Sequence, residues 1–304
     1  MVTKLDIKYT LLIGLISLVS FSQSKLGAFL KPSDTLHMPR QNAVFISEAV
    51  LATTALIGLN ELWYTDFERS SFQTVNDNDE WLQMDKAGHV FAAYQVGRFG
   101  AQLLNWSGSS HKNQLIYGAT LGFGFLTAVE VLDGYSKEWG FSWCDVVANA
   151  SGTGLYIGQE LLWKEQRIVL KYSFHQTKYA DLRPDKLGDG LLEELLKDYN
   201  GQTYWLSVNL HAFFKNSKIP RWLNVALGYG AEGMLAGRKD VDNQVLTSYA
   251  RYRQFYLSLD VDLTKVKTKS RLLKSVFNIF NMIKVPFPTL EIGEKGSVVH
   301  LFYY

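Results

Sequence analysis

Cysteine is nearly absent, since Cys144 is the single cysteine in a chain of 304 residues. One thiol excludes an intramolecular disulfide framework and a zinc site built from several cysteines. Cys144 lies within an apolar segment, which favours an inert buried thiol over a nucleophile. Net charge is also low, at +2 from 31 basic and 29 acidic residues. This balance predicts no nucleic-acid partner and no acidic tail.

The short motifs of several enzyme classes are missing as well. The sequence contains no Gly-x-x-x-x-Gly-Lys loop, no His-Glu-x-x-His pair and no Gly-x-Ser-x-Gly elbow. These motifs mark nucleotide-binding loops, zinc proteases and serine hydrolases. Of the six histidines, His89 is the one that stands among acidic residues. Whether the chain is an enzyme, and whether it holds a metal or another cofactor, therefore stays open.

The first 24 residues combine basic residues, an apolar run over 9–21 and serines at the end of that run. This order is typical of a secretory signal peptide. The run is shorter than the roughly 20 residues that span a bilayer. We therefore predict a signal peptide at 1–24, cleaved near 22–24, with a retained anchor as the alternative. No cysteine follows the run, so a lipid-anchored form is not expected.

Apolar and small residues continue almost unbroken through four later stretches, with polar residues at their borders. The stretches are 43–64, 88–106, 114–132 and 143–163. Runs of this length and composition predict helices. We predict a four-helix, membrane-associated bundle over 43–165, preceded by a lead-in segment at 25–42 in which Asn42 caps the first helix.

Glycines recur in the last two of these helices and favour a membrane-associated bundle. They are Gly118, Gly122, Gly124, Gly152, Gly154 and Gly158. Small residues let helix backbones approach closely in membranes, although a soluble glycine-rich bundle is the alternative. Three charged residues within the runs, Glu48, Arg98 and Glu160, would be costly against lipid. We expect them to face the bundle interior or the membrane interface.

After Arg167 the period of the hydrophobic pattern changes to two. Ile168, Leu170 and Tyr172 alternate with more polar residues, and similar alternation recurs in later segments. Such alternation predicts antiparallel strands with one apolar face. Five or six strands are countable, fewer than the roughly eight of the smallest membrane barrel. We predict an antiparallel sheet or partial barrel over 166–304, ending in an aromatic strand like those of outer-membrane β proteins.

Two helical insertions interrupt this predicted sheet, one over 187–199 and the other over 270–283. The second has a broad apolar face and follows a basic segment at 265–271. Basic residues beside an apolar helix face are typical of helices that lie at a membrane surface. An ordinary amphipathic core helix is the alternative.

Polar residues cluster at one end of each of three predicted helices. If neighbouring helices alternate in direction, the start of 88–106, the end of 114–132 and the start of 143–163 lie on the same side. The side chains at these ends then come within reach of one another. The candidate site residues are Asp85, Lys86, His89, Glu130, Asp133, Ser142, Asp145 and Asn149.

Three kinds of site fit these residue types. They suit a divalent-metal site, an acid–base site that processes phosphate with Lys86, or a buried polar network. Helix capping is a simpler explanation for two of the acidic residues. Asp85 is placed as an N-cap, and Ser142 with Asp145 forms a capping box. His89 and Asn149 lie inside helices and need partners once buried.

The same motifs resemble a known family. They are Asp85-Lys86-x-x-His89, Glu130-x-x-Asp133-Gly134 and Gly140-Phe141-Ser142-x-x-Asp145-x-x-x-Asn149-x-x-Gly152. This pattern resembles the YfiM-type predicted periplasmic lipoproteins and is more distantly similar to VanZ-like membrane proteins, over about residues 45–165. The resemblance implies a helical envelope protein and carries no mechanism. The β-rich half departs from the VanZ-like pattern, which favours a periplasm-facing place at the outer membrane over the inner membrane.

These observations lead to two functional hypotheses for an exported α+β envelope protein. The first is a non-enzymatic outer-membrane protein that supports membrane protein assembly or lipid organisation. Its partners would be membrane lipid and other outer-membrane proteins. The alternative is an enzyme or transporter for a lipid-linked phosphate substrate. In that case His89 and Asp145 would handle protons or a metal, and Lys86 would contact phosphate.

Overall fold

The computed structural model describes residues 25–61, 68–238 and 249–303. The predicted signal peptide at 1–24 and the last residue of the aromatic strand, Tyr304, lie outside the described residues. Within them, long helices occupy the first half of the chain and a six-stranded antiparallel sheet the second. A mixed helix-and-sheet fold is therefore confirmed.

Four long helices lie where the apolar runs predict them. They are α1 (Met38–Leu59), α2 (Met84–Trp106), α3 (His111–Asp133) and α4 (Trp143–Trp163). Within α3, Gln114–Ala119 is wound as a π-helix. Helix α1 begins earlier than predicted because His37 caps it, its Nδ1 accepting a hydrogen bond from the Arg40 amide at 3.3 Å. Asn42 therefore lies inside α1, and its predicted capping role is wrong.

Close backbone contacts join α2, α3 and α4. A Cβ atom added at Gly122 would lie 2.2 Å from the Ala93 carbonyl oxygen, and one added at Gly152 would lie 2.1 Å from that of Val90. No larger residue fits these contacts. By contrast, Gly154 has open space where a Cβ would be. Only some of the glycines thus serve the close helix packing expected of them.

Helix α1 differs from the other three because its apolar side chains are largely exposed. Val44 is the one residue of α1 that is buried. The predicted four-helix bundle is therefore not confirmed, and the packed core consists of α2, α3 and α4. Among the described residues, α1 and α3 are long and apolar enough to cross a membrane by length and composition alone.

Gly152→Ala is expected to destabilise the protein, whereas Gly154→Ala is expected to be neutral or stabilising. The methyl group at 152 would overlap the Val90 carbonyl oxygen, and overpacking of this kind costs about 1–3 kcal/mol or more. At 154 the alanine gains helix propensity of up to about 1 kcal/mol. Denaturant midpoints in a mild detergent would measure both, and equal midpoints for the two variants would contradict the close α2–α4 contact.

The strands follow the order of the sequence. Two short parallel strands, β1 (Thr74–Val75) and β2 (Phe141–Ser142), form a separate pair. The large sheet has the order β3-β4-β5-β6-β7-β8. Its strands are β3 (Ile168–Phe174), β4 (Gln202–Asn209), β5 (Leu223–Glu232), β6 (Tyr252–Val261), β7 (Phe287–Gly293) and β8 (Gly296–Tyr303).

Helical insertions interrupt the sheet, as predicted. The longer ones are α5 (Leu191–Lys197) and α6 (Arg271–Phe280). Short helices lie at Lys178–Leu182, Pro184–Leu187 and Leu210–Phe213, and 3₁₀ turns at Glu80–Gln83 and Leu263–Lys265. Ser270 caps α6 by accepting a hydrogen bond from the Leu273 amide at 3.2 Å.

One face of the large sheet is covered and polar. Lys171 and Asp260 are fully buried there, with their charged atoms 2.7 Å apart. The Ser207 hydroxyl donates to the same carboxylate at 2.6 Å. Lys284, also buried, stands with its ammonium 4.9 Å from the centre of the Trp205 ring. This face therefore combines paired polar groups with a buried cluster of Trp205, Ala226 and Tyr256.

The opposite face of the sheet is apolar and largely open. Leu206, Leu227 and Leu257 are neighbours across three strands and are 42%, 52% and 44% exposed. Helix α2 covers the part near β3 and β4, where Phe91 packs 5.6 Å from the Tyr172 ring and 5.7 Å from the Tyr204 ring. The alternation of apolar and polar residues along the strands was predicted, but the leucine side chains point away from the covered face of the sheet.

The sheet remains open between its first and last strands. The free edge of β3 bonds instead to the segment before β7. The Tyr172 amide donates to the Met282 carbonyl, and the Lys284 amide donates to the Tyr172 carbonyl, both at 2.9 Å. The predicted partial barrel is therefore not confirmed.

Candidate functional site

The first wall of the site is the start of α2, which follows a left-handed turn. Trp81, Leu82 and Gln83 have φ angles of 48°, 50° and 63°, a region that side-chain-bearing residues rarely adopt. The Trp81 amide anchors the turn by donating to the Gly237 carbonyl at 2.7 Å. Because the N-cap position is Gln83, Asp85 lies in the first turn of α2. The predicted capping role of Asp85 is therefore wrong.

The second wall is the start of α4, where the predicted cap is confirmed. The Ser142 hydroxyl oxygen accepts a hydrogen bond from the Asp145 amide at 3.2 Å. The same hydroxyl donates to Asp77 at 2.6 Å, and the Ser142 amide donates to Glu130 Oε2 at 3.2 Å. Glu130, at the end of α3, thus takes the place of the reciprocal acid in the capping box. The Asp145 carboxylate is left to face the other site residues.

Lys86 is the cation at the centre of the cluster. Its Nζ lies 2.6 Å from Asp77 and 2.9 Å from both Asp85 and Asp145. Burial alone would lower the pKa of Lys86, but these carboxylates outweigh it and hold that pKa above its usual value. Burial alone would raise the pKa of Asp77 and of Asp85. The nearby cations outweigh burial, so the pKa of each carboxyl group is lower than usual.

His89 connects α2 to the other two helices. Its Nδ1 lies 2.9 Å from Asn149 Oδ1 on α4. Because an amide oxygen accepts, Nδ1 donates to it and carries a proton. The other nitrogen, Nε2, lies 3.4 Å from Glu130 Oε1, 3.7 Å from Asp85 Oδ1 and 3.8 Å from Asp145 Oδ1. One imidazole nitrogen therefore faces three carboxylates.

Two of these carboxyl groups are protonated more readily than usual. Burial, followed by repulsion from Asp145 and Asp133, raises the pKa of Glu130 to about 9. Burial and repulsion from Asp85 raise the pKa of Asp145 to about 7, against the opposing attraction of His89 and Lys86. At neutral pH Glu130 therefore holds a proton, which lowers the excess of carboxylate charge over the cations of the cluster.

The cluster borders a cavity of about 630 Å³. The site residues that line it include Asp85, His89, Glu130, Asp133 and Asp145. The rest of the lining mixes apolar and aromatic side chains with charged ones. The first group includes Ala92, Leu126, Val129, Trp139, Leu196, Tyr199 and Tyr204, and the charged residues are Asp77, Glu80, Lys137, Glu138 and Arg238. An amphipathic molecule with a polar end suits such a lining.

The structure thus brings the predicted residues together at one place. Asp85, Lys86, His89, Glu130, Ser142, Asp145 and Asn149 are joined by the contacts above, and Asp133 lines the same cavity. What these residues do chemically stays a prediction.

Two members of the site escaped prediction from the sequence. Asp77 lies in the polar stretch that links α1 to α2, where acids and amides alternate without a distinguishing pattern. Tyr199 comes from the sheet half of the chain, and its hydroxyl donates to Asp85 Oδ1 at 3.0 Å. No local signal marks Tyr199, because its neighbours in the site are far away in sequence.

Comparison with known families covers the same region. Residues 73–158 match the model of a family described as "Predicted periplasmic lipoprotein (DUF2279)". This span is less than a third of the chain and contains every predicted site residue. It supports an exported envelope protein and the lipoprotein-family part of the resemblance. The YfiM-type and VanZ-like parts stay predictions. No curated protein and no solved structure matches the chain.

Proposed function

We propose that this chain is a non-enzymatic, periplasm-facing protein of the outer membrane that organises lipid or supports the assembly of other outer-membrane proteins. The observation that carries this proposal is the orientation of the large sheet, which exposes its row of leucines and buries charged residues on its other face. We call this arrangement the inverted sheet. A sheet in water places its apolar face against the core, whereas a lipid-facing sheet places it outward and keeps polar groups inside. The large sheet follows the second arrangement.

The outward apolar face extends to the last strand. Val299 and Leu301 on β8 are 67% and 76% exposed, and Val299 stands beside Leu290 of β7 in the register. This row of exposed side chains continues the row formed by Leu206, Leu227 and Leu257. Contiguous apolar surface of this kind marks a binding surface for another molecule.

Lipid is the occupant that best fits the whole exposed surface. Apolar side chains are open on α1 as well, with Ile46 and Leu51 among them, and on α6, with Leu272 and Ile279. These surfaces belong to separate elements. Lipid acyl chains can cover all of them at once, whereas a single protein partner would cover only some of them. Basic residues next to α6 suit anionic lipid headgroups.

The paired variant Leu227→Lys/Leu257→Lys tests lipid contact. The two side chains are partners in the register, and a charge on a lipid-facing strand costs up to about 2–4 kcal/mol. We expect the native protein to float with phospholipid vesicles and the variant to bind them about tenfold more weakly. Leu192→Lys is the control, since Leu192 is 82% exposed on α5 and lies outside the row of strand leucines.

Two results would contradict the proposal. The first is equal flotation of the native protein and the paired variant. The second is a native protein that stays in the soluble periplasmic fraction after a carbonate wash of the membranes. Separation of the two membranes on a density gradient tests the choice of the outer membrane, and recovery with the inner membrane would overturn that part.

An enzyme or transporter for a lipid-linked substrate is the second candidate. The cavity beside His89 and the carboxylates favours it, because apolar walls and a polar end suit a lipid headgroup with part of its tail. Contact between Lys86 and phosphate has less support, since the ammonium is engaged by three carboxylates. Mass spectrometry of protein purified in mild detergent separates the candidates. A stoichiometric protein partner supports assembly, a retained polyprenyl lipid supports the second candidate, and a retained phospholipid agrees with both.

A further inference from the structure

Three residues of the candidate site each place one possible ligand atom close to the others. Nε2 of His89 lies 3.7 Å from Oδ1 of Asp85 and 3.8 Å from Oδ1 of Asp145, and ligand atoms of these three residues all lie within 4.8 Å of one another. Bonds of about 2.0–2.2 Å to a tetrahedral cation place ligand atoms roughly 3.3–3.6 Å apart. The two nitrogen-to-oxygen distances are therefore close to those around a bound cation. Oε1 of Glu130 lies 3.4 Å from the same nitrogen.

The contact with Asn149 orients His89 as a metal ligand. Because Nδ1 donates to Asn149 Oδ1 at 2.9 Å, the neutral ring has its lone pair on Nε2. That lone pair is directed at carboxylate oxygens, which repels unless a proton or a metal cation lies among them. Histidine ligands commonly donate their second nitrogen in this way.

Asp145 provides a separate indication of a ligand. Asp145 is 3% exposed, and its Oδ1 accepts no hydrogen bond from the described residues. Lys86 Nζ lies 2.9 Å from this oxygen, but outside hydrogen-bonding geometry, and bonds to Oδ2 instead. Buried carboxylate oxygens are rarely left in this state. Oδ1 is the Asp145 oxygen that faces His89.

We propose that His89, Asp85 and Asp145 bind one divalent transition-metal cation of the Zn²⁺ type, with Glu130 beside the ion. One imidazole with carboxylates selects such ions over Mg²⁺ and Ca²⁺, which prefer oxygen ligands alone. Lys86 neutralises part of the carboxylate charge, with its Nζ 2.9 Å from Asp145 Oδ1. It contacts Asp85 through Oδ2. Oδ1 of Asp85 accepts one hydrogen bond, from the Tyr199 hydroxyl at 3.0 Å, and keeps a second lone pair for the ion.

The position of the cation follows from the cavity. The three ligand residues and Glu130 line it, so three protein ligands leave one position of a tetrahedral ion open to molecules inside. Structural zinc sites are closed by protein ligands, whereas catalytic ones keep an open position. The cation is therefore placed to coordinate a polar group of the molecule that enters the cavity. This inference does not depend on lipid contact by the sheet.

Metal analysis of the full-length protein tests the site. The protein is purified in mild detergent, stripped with a chelator, and titrated with Zn²⁺ by calorimetry. We expect one ion per chain and a higher melting temperature in its presence, because binding to the folded state stabilises it. A millimolar concentration of Mg²⁺ should not displace the bound Zn²⁺.

Three variants assign the ligands. His89→Gln should weaken Zn²⁺ binding at least about a hundredfold, and Asn149→Ala should weaken it about 10- to 100-fold through loss of ring orientation. His111→Ala is the matched control, since His111 also lies beside a carboxylate, 3.5 Å from Glu160. It should bind Zn²⁺ as the native protein does. Circular dichroism verifies that each variant is folded.

Either of two results would overturn the proposal. One is a folded native protein that binds no Zn²⁺ after chelation. The other is a folded His89→Gln variant that binds it as tightly as the native protein. Should His89→Gln fail to fold, Asn149→Ala decides instead, and unchanged Zn²⁺ affinity in that variant would count against the site.

Discussion

Lys86→Met is expected to lower the free energy of unfolding by about 3–5 kcal/mol, the usual cost of leaving buried charges without a partner. The Lys86 ammonium contacts Asp77, Asp85 and Asp145, which join the start of α2, the segment before it and the start of α4. Without the cation, these carboxylates repel one another or must take up protons. The shift of the denaturant midpoint in detergent measures the loss.

The matched control is Lys137→Met. Lys137 pairs with Glu68 at 2.6 Å, but both side chains are mostly exposed, and an exposed pair contributes about 1 kcal/mol or less. A loss in Lys86→Met no larger than that in Lys137→Met would show that the cluster is well solvated and that its buried charges are not under strain.

Lys171→Met, in the sheet half of the chain, is expected to lower the free energy of unfolding by a similar amount, about 3–5 kcal/mol. Asp260 is fully buried beside it and would keep its charge without its closest cation. Burial already lowers the pKa of Lys171, against the attraction of Asp260, so the charged form of Lys171 is held at a cost.

The double variant Lys171→Met/Asp260→Asn should recover most of that stability. The asparagine oxygen still accepts from the Val285 amide, which donates to Asp260 Oδ1 at 3.1 Å. The asparagine NH2 group takes the place of Oδ2 and donates to the Ser207 hydroxyl oxygen, which lies 2.6 Å from Oδ2. Removing both charges of a buried pair is often nearly neutral. Unfolding free energies of the four proteins form a double-mutant cycle, and strictly additive losses would contradict direct coupling of the two residues.

Helix positions and the meeting of the polar groups were accessible from the sequence. Long apolar runs leave little choice except helices, and Ser142 with Asp145 signals a helix start through residues three apart. Alternating helix direction then brings the ends together. These inferences rest on local pattern and on short connections, which the chain between 84 and 163 has.

Other features depend on tertiary contacts that local pattern does not contain. A period of two predicts that side chains alternate across a strand, but it does not say which face meets solvent or lipid. The outward direction of Leu227 was therefore not predictable. Tyr199 reaches Asp85 across 114 positions, and the exposure of α1 depends on what packs beside it.

The inverted sheet also sets an order for biogenesis. Its outward leucines gain nothing from collapse in water, so the strands have little drive to assemble before they meet a bilayer. Helices α2 to α4 make their contacts over short stretches of chain, which favours early folding. If the sheet faces lipid as proposed, the helical half is therefore expected to form before the strands pair, and the unpaired strand edges invite aggregation in the meantime.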